Sequence, residues 1–235
     1  MREGLLAYLS GSGVWGVVLT IAAFGLGTVL NRKTHKAWCN PLLLGSLFVI
    51  LLLSVLRVPY PDYKASAAPV SYLLLPATVS LAIPLYEKWQ LLKENTAAIL
   101  AGILAGVVVS LGSIVLMAWA LKLEPAQAVT LLPKSVTTAI GMDVAATLGG
   151  MVSLAGAVII LTGILGSLTA EWVCRTLKIT DPLAKGIAIG TASHAIGTSK
   201  ALEMGEVEGA MSGLAIAVAG ILTAVLAPVF AGLLP

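Results

Sequence analysis

Apolar residues along this chain come in long unbroken runs, without the alternation of a surface strand or the single stripe of a soluble helix. Four such runs cover roughly 14–30, 41–56, 67–86 and 96–121, and two more follow at roughly 151–173 and 207–234. A helix needs about 20 apolar residues to cross the hydrocarbon core of a bilayer. The pattern therefore predicts an all-α membrane protein, a polytopic helical bundle. Two stretches between the runs break it, 126–149 and 183–205. Both are polar, contain glycine and are interrupted. The first includes "LLPKSVTTAIG" (131–141), with a lysine, a serine, two threonines, a proline and a glycine where lipid would reject them.

Composition agrees with the pattern. The 235 residues are 58% hydrophobic and 11% charged, with a mean hydropathy of +1.00. Soluble domains carry about 25% charged residues, so too few polar groups are present to cover a surface in water. The net charge of +3 is small and the basic residues are scattered, which argues against nucleic-acid binding. Cys39 and Cys174 are single and far apart, and read as unpaired thiols with no metal-binding spacing. No cofactor is implied. The N-terminus lacks the layout of a signal peptide.

Charge sits in the connections, at "NRKTHK" (31–36), "RVPYPDYK" (57–64), "EKWQLLKE" (87–94) and "CRTLKITDPLAK" (174–185). With "NRKTHK" placed in the cytoplasm by the positive-inside rule, two topologies compete. If 126–149 crosses once, five basic residues lie inside and seven outside. If it dips in and returns, Arg175, Lys178 and Lys185 move inside and the count becomes eight against four. The rule favours the re-entrant hairpin, and the same logic makes 183–205 a second hairpin entering from the opposite face.

Internal echoes point the same way. "LLPATVSLAI" (74–83) matches "LLPKSVTTAI" (131–140) at six of ten positions. "AIGMDVAATLG" (139–149) aligns with "AIGTSKALEMG" (195–205) at Ala139/Ala195, Ile140/Ile196, Gly141/Gly197, Ala145/Ala201 and Gly149/Gly205. Two related hairpins from opposite faces would form an inverted repeat, a known transporter arrangement. Irregular backbone at membrane depth is tolerated only where protein or a water-filled cavity surrounds it. The polar residues are thus expected to face a substrate path.

Lys134 is the sharpest candidate, because a lysine at a helix centre costs about 2.5 to 3.5 kcal/mol on insertion scales. Beside the hydroxyls of Ser135, Thr137 and Thr138 it suits a small carboxylate; the alternative is a lysine that snorkels to the interface. Asp143 could pair with Lys134, hold a coupling cation or lie in water. In the second stretch, Ser193, His194, Thr198, Ser199 and Lys200 are further substrate-binding candidates, and His194 and Glu203 are candidates for ion or proton coupling. For His194 the competing reading is an ordinary hydrogen bond inside a packed interface. Glu203, Glu206 and Glu208 read equally as a solvated edge. Pro76 and Pro84 would kink a scaffold helix or place Thr78 and Ser80 in the cavity. "AGILAGVVVSLGS" (101–113) reads as a close helix-packing face. No enzymatic constellation is evident, since "GSLTA" and "GTSKA" lack the context of a nucleophile elbow.

At "ATVSLAIPLYEKW", "PKSVTTAIGMD" and above all "GTASHAIGTSKALEMGEVEGAMSGLAI" the chain resembles the LrgB/CidB family, in particular its YohK-type inner-membrane members, over nearly its whole length. The resemblance implies a single transmembrane domain over 1–235 in a bacterial inner membrane. It also implies a separate small partner of the LrgA/CidA type. The family was described through holin-like partners as modulating murein hydrolase export and autolysis. Related proteins move small carboxylates: the plastid glycolate/glycerate translocator carries an LrgB-like half, and some bacterial pairs move pyruvate. Two functions follow as expectations. One is a facilitated or proton-coupled transporter of small monocarboxylates. The other is a holin-like or antiholin-associated protein, acting as an oligomeric pore or the partner of one.

Overall fold

The structure is a computed structural model that describes residues 13–34, 41–73, 76, 79–80 and 82–235, and every structural statement below concerns these residues. Cys39 and Thr78 lie outside them, as does much of the 74–83 copy of the first echo. Among the described residues every regular element is a helix, with no strand. By its contacts the chain groups into two compact units, residues 1–80 and 81–235, each described by itself.

In the first unit, α1 (Trp15–Thr34) packs against α2 (Pro41–Leu56) through Gly27 and Gly45. Two short helices follow, α3 (Tyr60–Ser66) and α4 (Ala68–Tyr72). Tyr63 of α3 docks on α1, with its hydroxyl 2.8 Å from Thr20 Oγ1 and its ring 5.9 Å from that of Trp15. The apolar run 67–86 is not one span. Among the described residues it breaks at the turn of Leu73, after α4, and ends in α5 (Ala82–Glu87) of the second unit, with Pro69, Pro76 and Pro84 along it. Each proline removes a backbone donor and hinders a continuous helix.

The second unit contains α6 (Trp89–Leu121), α7 (Pro125–Leu131), α8 (Thr138–Thr147), α9 (Val152–Thr176), α10 (Pro182–Met204) and α11 (Glu206–Ala231). With α1, the helices α6, α9 and α11 are long and apolar enough to cross a membrane; α2, at 16 residues, is shorter. α6 runs for 33 residues and absorbs most of "EKWQLLKE", which the sequence placed in a loop. Its buried stripe, Ile99, Ile103, Val107, Leu111, Ile114 and Ala118, faces the core. Its other side leaves Val109 at 69% and Leu116 at 72% exposure, which only lipid can solvate favourably.

Several helix ends are written in the sequence. Pro125 and Pro182 occupy first-turn positions, where a missing N–H costs nothing. Gln127 accepts from the Glu124 N–H, and Asp181 accepts from the Ala184 N–H at 2.9 Å. α2, α6 and α9 each end on a basic residue in the left-handed region, Arg57, Lys122 and Lys178. The next N–H then reaches back five residues, as in Leu123 to Ala118 and Ile179 to Cys174. Glycine usually takes this position. A cation there faces the negative end of the helix dipole, which offsets part of the backbone strain.

α6 and α11 run in the same direction. Lys88 pairs with Glu206 at 3.0 Å near their starts, Gly112 meets Phe230, and Trp119 Nε1 donates to Leu233 O near their ends. α9 runs the opposite way, and both interrupted stretches fold back on themselves. In the first, the Met151 N–H returns to Thr130 Oγ1 at 2.8 Å, so α8 doubles back beside α7. In the second, Gly186 and Gly190 close successively on Glu208–Met211 and Ser212–Ala215, so residues 182–193 run parallel to α11. Thr198 and Leu202 then meet Ser212 and Gly209 in the reverse order, so residues 195–204 run antiparallel to it. The chain reverses at His194, whose φ of 44° and ψ of −144° are non-helical.

A register shift of 56 residues relates contacts within the two foldbacks. A Cβ on Gly141 would lie 3.1 Å from Pro133 O, and one on Gly197 would lie 3.3 Å from Ile189 O. Both contacts span eight residues, which a straight helix would hold about 12 Å apart. Gly156 meets Met142 as Ser212 meets Thr198, again 56 positions on. Gly149 and Gly205 both stand where the second limb ends. The first foldback starts from the end of the bundle marked by Lys122, the second from the end marked by Lys88, and each is followed by a long helix, α9 or α11.

Candidate functional site

Beside the middle of α6, residues from both foldbacks line an open groove of about 600 Å³, which also takes in the exposed Val109. α6 contributes Gly102, Gly106, Ser110 and Ser113; the first limb of α10 contributes Ala184, Ala188, Thr191 and Ala192; the first tip contributes Lys134 and Ser135. Glycine and alanine leave the space open, because a larger side chain on either helix would fill it. At Gly106 the helices nearly touch: a Cβ there would lie 2.8 Å from Thr191 Oγ1.

The charge at this site is Lys134. Pro133 ends the regular turn, and Lys134 N–H bonds to Leu131 O in a tight loop. The ammonium donates to Ser135 Oγ at 3.0 Å and to Ser110 Oγ at 3.3 Å, and Ser110 Oγ donates to Ser135 Oγ at 3.0 Å. Lys134 forms no ion pair among the described residues. An ammonium has three N–H donors, so one remains for a ligand. Ser135 accepts both bonds, which leaves its own O–H as a second donor. A cation and a hydroxyl donor side by side in a largely apolar cavity can bind a small anion.

The structure gathers some of the residues that the sequence singled out and disperses the rest. Lys134 and Ser135 share the cavity. Thr137 caps α8 and Thr138 packs toward Gly156; neither lines the cavity. Ser193, His194 and Thr198 are buried behind the second tip, against α9 and α11. His194 Nε2 lies 2.9 Å from Ile159 O, which fixes the proton on Nε2, and the ring covers Gly163. Thr198 bonds Ser212 at 2.7 Å, and Ser193 lies on Gly166. Ser199 is exposed. Lys200 sits at the Lys88 end of the bundle, paired with Glu171 at 2.7 Å and Glu203 at 3.2 Å. Asp143 is exposed on α8 and makes no ion pair with Lys134 among the described residues. Glu208 departs from the solvated edge expected for it: it is 7% exposed, with Lys185 at 3.9 Å.

Sequence reasoning missed Ser110, Ser113 and Thr191. The two serines were visible as hydroxyls inside the small-residue face of 101–113. Thr191 lies inside the second polar stretch, in "GTASH", two residues before Ser193, the first candidate named there.

Fold and groove together define a polytopic all-α membrane protein with one cation, Lys134, in a largely apolar groove lined by α6 and both foldbacks. The pattern of the LrgB-like family matches residues 20–233, and the chain belongs to that family. It is similar to the antiholin-like protein LrgB of Bacillus subtilis (strain 168), 34% identical over 221 residues that cover 94% of this chain and 96% of the relative. It is also similar to the antiholin-like protein LrgB of Bacillus mycoides (strain KBAB4), 32% identical over 217 residues, 92% of this chain and 94% of the relative. No solved structure matches the chain.

Proposed function

We propose that this LrgB-family protein carries small monocarboxylates across a bacterial inner membrane, by facilitated or proton-coupled movement, with Lys134 and Ser135 holding the carboxylate. The observation that carries this reading is the Lys134 ammonium, bonded only to Ser110 and Ser135 among the described residues, in a cavity between two foldback tips. In this reading the foldbacks are re-entrant, and their irregular tips are sheltered from lipid by the cavity and by α6, α9 and α11. Lys88, Lys93, Arg175, Lys178 and Lys185 belong to the end of the second unit where α6 begins and α9 finishes, which the positive-inside rule puts in the cytoplasm.

The relatives speak more directly for a second reading. Both Bacillus proteins are named antiholin-like, which favours a role in modulating murein hydrolase export and autolysis with a small LrgA/CidA-type partner, as a pore or the regulator of one. The experiment that separates the readings is uptake of labelled pyruvate, lactate, glycolate and glycerate into proteoliposomes. A carrier saturates and shows competition between anions, and its flux falls in Lys134→Met. A pore passes solutes of varied chemistry without saturation, and a regulator gives no flux without its partner.

A further inference from the structure

We infer that Thr191 is the second foldback's contribution to the ligand site, a hydroxyl acceptor that favours anions carrying a hydrogen-bond donor beside the carboxylate. The inference rests on the carrier reading above. Thr191 stands 56 positions after Ser135, the shift that relates Gly141 to Gly197 and their backbone contacts. The repeat therefore brings two equivalent hydroxyls to one cavity from opposite tips. Their surroundings make them chemically opposite. Ser135 Oγ accepts from Ser110 and Lys134, so its proton is free to donate. Thr191 Oγ1 donates within its own helix, to Ile187 O at 2.8 Å, so what it offers a ligand is a lone pair. A bare carboxylate gains nothing from a lone pair; a neighbouring hydroxyl on the ligand does. The same carbonyl bond and the closeness of Gly106 hold the Thr191 side chain in one position.

The test compares L-lactate with pyruvate, which differ by a hydroxyl against a carbonyl at one carbon, as competitors for binding to the purified full-length chain and for uptake into proteoliposomes. Thr191→Val keeps the shape and removes the oxygen. It should weaken lactate relative to pyruvate by about 3- to 10-fold, the range of one neutral hydrogen bond, while Thr191→Ser keeps the wild-type ratio. Gly106→Ala places a methyl against Thr191 Oγ1 from the other helix and should shift the ratio the same way, an independent check if Thr191→Val folds poorly. Equal losses for both anions, or an unchanged ratio in Thr191→Val and Gly106→Ala, overturn the assignment while leaving the Lys134-dependent carrier in place. A folded wild-type chain that binds neither anion overturns both the carrier reading and this one.

Discussion

Lys134→Met should separate stability from transport. Lysine at membrane depth costs about 2.5 to 3.5 kcal/mol. Against that stand two hydrogen bonds from a charged donor, to Ser135 and Ser110, each contributing about 1.5 to 3 kcal/mol. Summed, the ammonium is worth between about −0.5 and 3.5 kcal/mol to the fold. Methionine keeps most of the stem, and the Ser110–Ser135 bond survives without the lysine. Thermal unfolding in detergent, followed by tryptophan fluorescence, should therefore shift by no more than that range. The ligand has far more to lose. Removing one partner of a buried charge pair costs about 2 to 5 kcal/mol, so anion affinity should fall roughly 30- to 5,000-fold. Lys134→Arg, which keeps the charge with a different fork, should fall between the two. The reasoning is refuted by a Lys134→Met protein that melts with wild type and still binds and moves the anion with wild-type affinity. A melt lowered by much more than about 3.5 kcal/mol would make the lysine structural instead.

Further expectations follow from the same geometry. Ala184, Ala188 and Ala192 are exposed in the cavity wall, whereas Ala128, Leu132 and Val136, 56 positions earlier, are buried; Ala184→Cys and Ala188→Cys should react with a small aqueous thiol reagent and be protected by the anion, and Ala128→Cys should stay unreactive. If all three react alike, the cavity is not open toward one end. Gly197→Ala would put a methyl 2.5 Å from Ser193 Cβ and 3.1 Å from Ile189 Cγ2, and should destabilise by about 1 to 3 kcal/mol through overpacking, while Gly25→Ala, with nothing within 4 Å of the new carbon, should be neutral or stabilising in the same melt. His194→Ala keeps the strained backbone and removes one hydrogen bond to Ile159 O, whose helical bond survives; the lost bond should cost about 0.5 to 1.5 kcal/mol without changing the pH dependence of uptake, and a changed pH profile would restore His194 as a proton carrier.

What the sequence disclosed depends on which physical signal each feature leaves. The runs at 14–30, 41–56, 151–173 and 207–234 became α1, α2, α9 and α11 with ends shifted by only a few residues, because burial in lipid needs nothing more than unbroken apolarity. The run at 67–86 differed because hydropathy ignores the donors lost at Pro69, Pro76 and Pro84. α6 began earlier than expected because Glu, Lys, Gln and Leu are good helix formers: the charges in "EKWQLLKE" mark contact with water, not the end of a helix. The repeat was legible as shared residues around Gly141 and Gly197, but the direction of each limb was not. That direction rests on contacts with α11, which no local pattern encodes. Lys134 stood out because a cation among apolar residues needs a reason. Ser110 did not, because a hydroxyl inside a long helix is commonplace and can bond its own backbone. The hydroxyls from Ser193 to Thr198 drew attention through polarity, yet polarity does not say which face a residue takes, and these turned toward α9 and α11.

The repeat is broken where the charge lies, and electrostatics explains why. The position equivalent to Lys134 is Gly190, whose backbone closes on Ser212 O and Ala215 Cβ. A second lysine would find no room there. Even if it reached the cavity, two ammonium groups about 6 Å apart at an effective dielectric near 20 would repel by about 3 kcal/mol, on top of a second insertion cost of about 2.5 to 3.5 kcal/mol. The first foldback therefore holds the cation, while the second keeps a glycine where its limb must press on α11 and a neutral hydroxyl at the next position, Thr191. In the carrier reading, symmetry in the backbone with asymmetry in the charge lets one tip attract an anion while the uncharged opposite tip reads what else the anion carries.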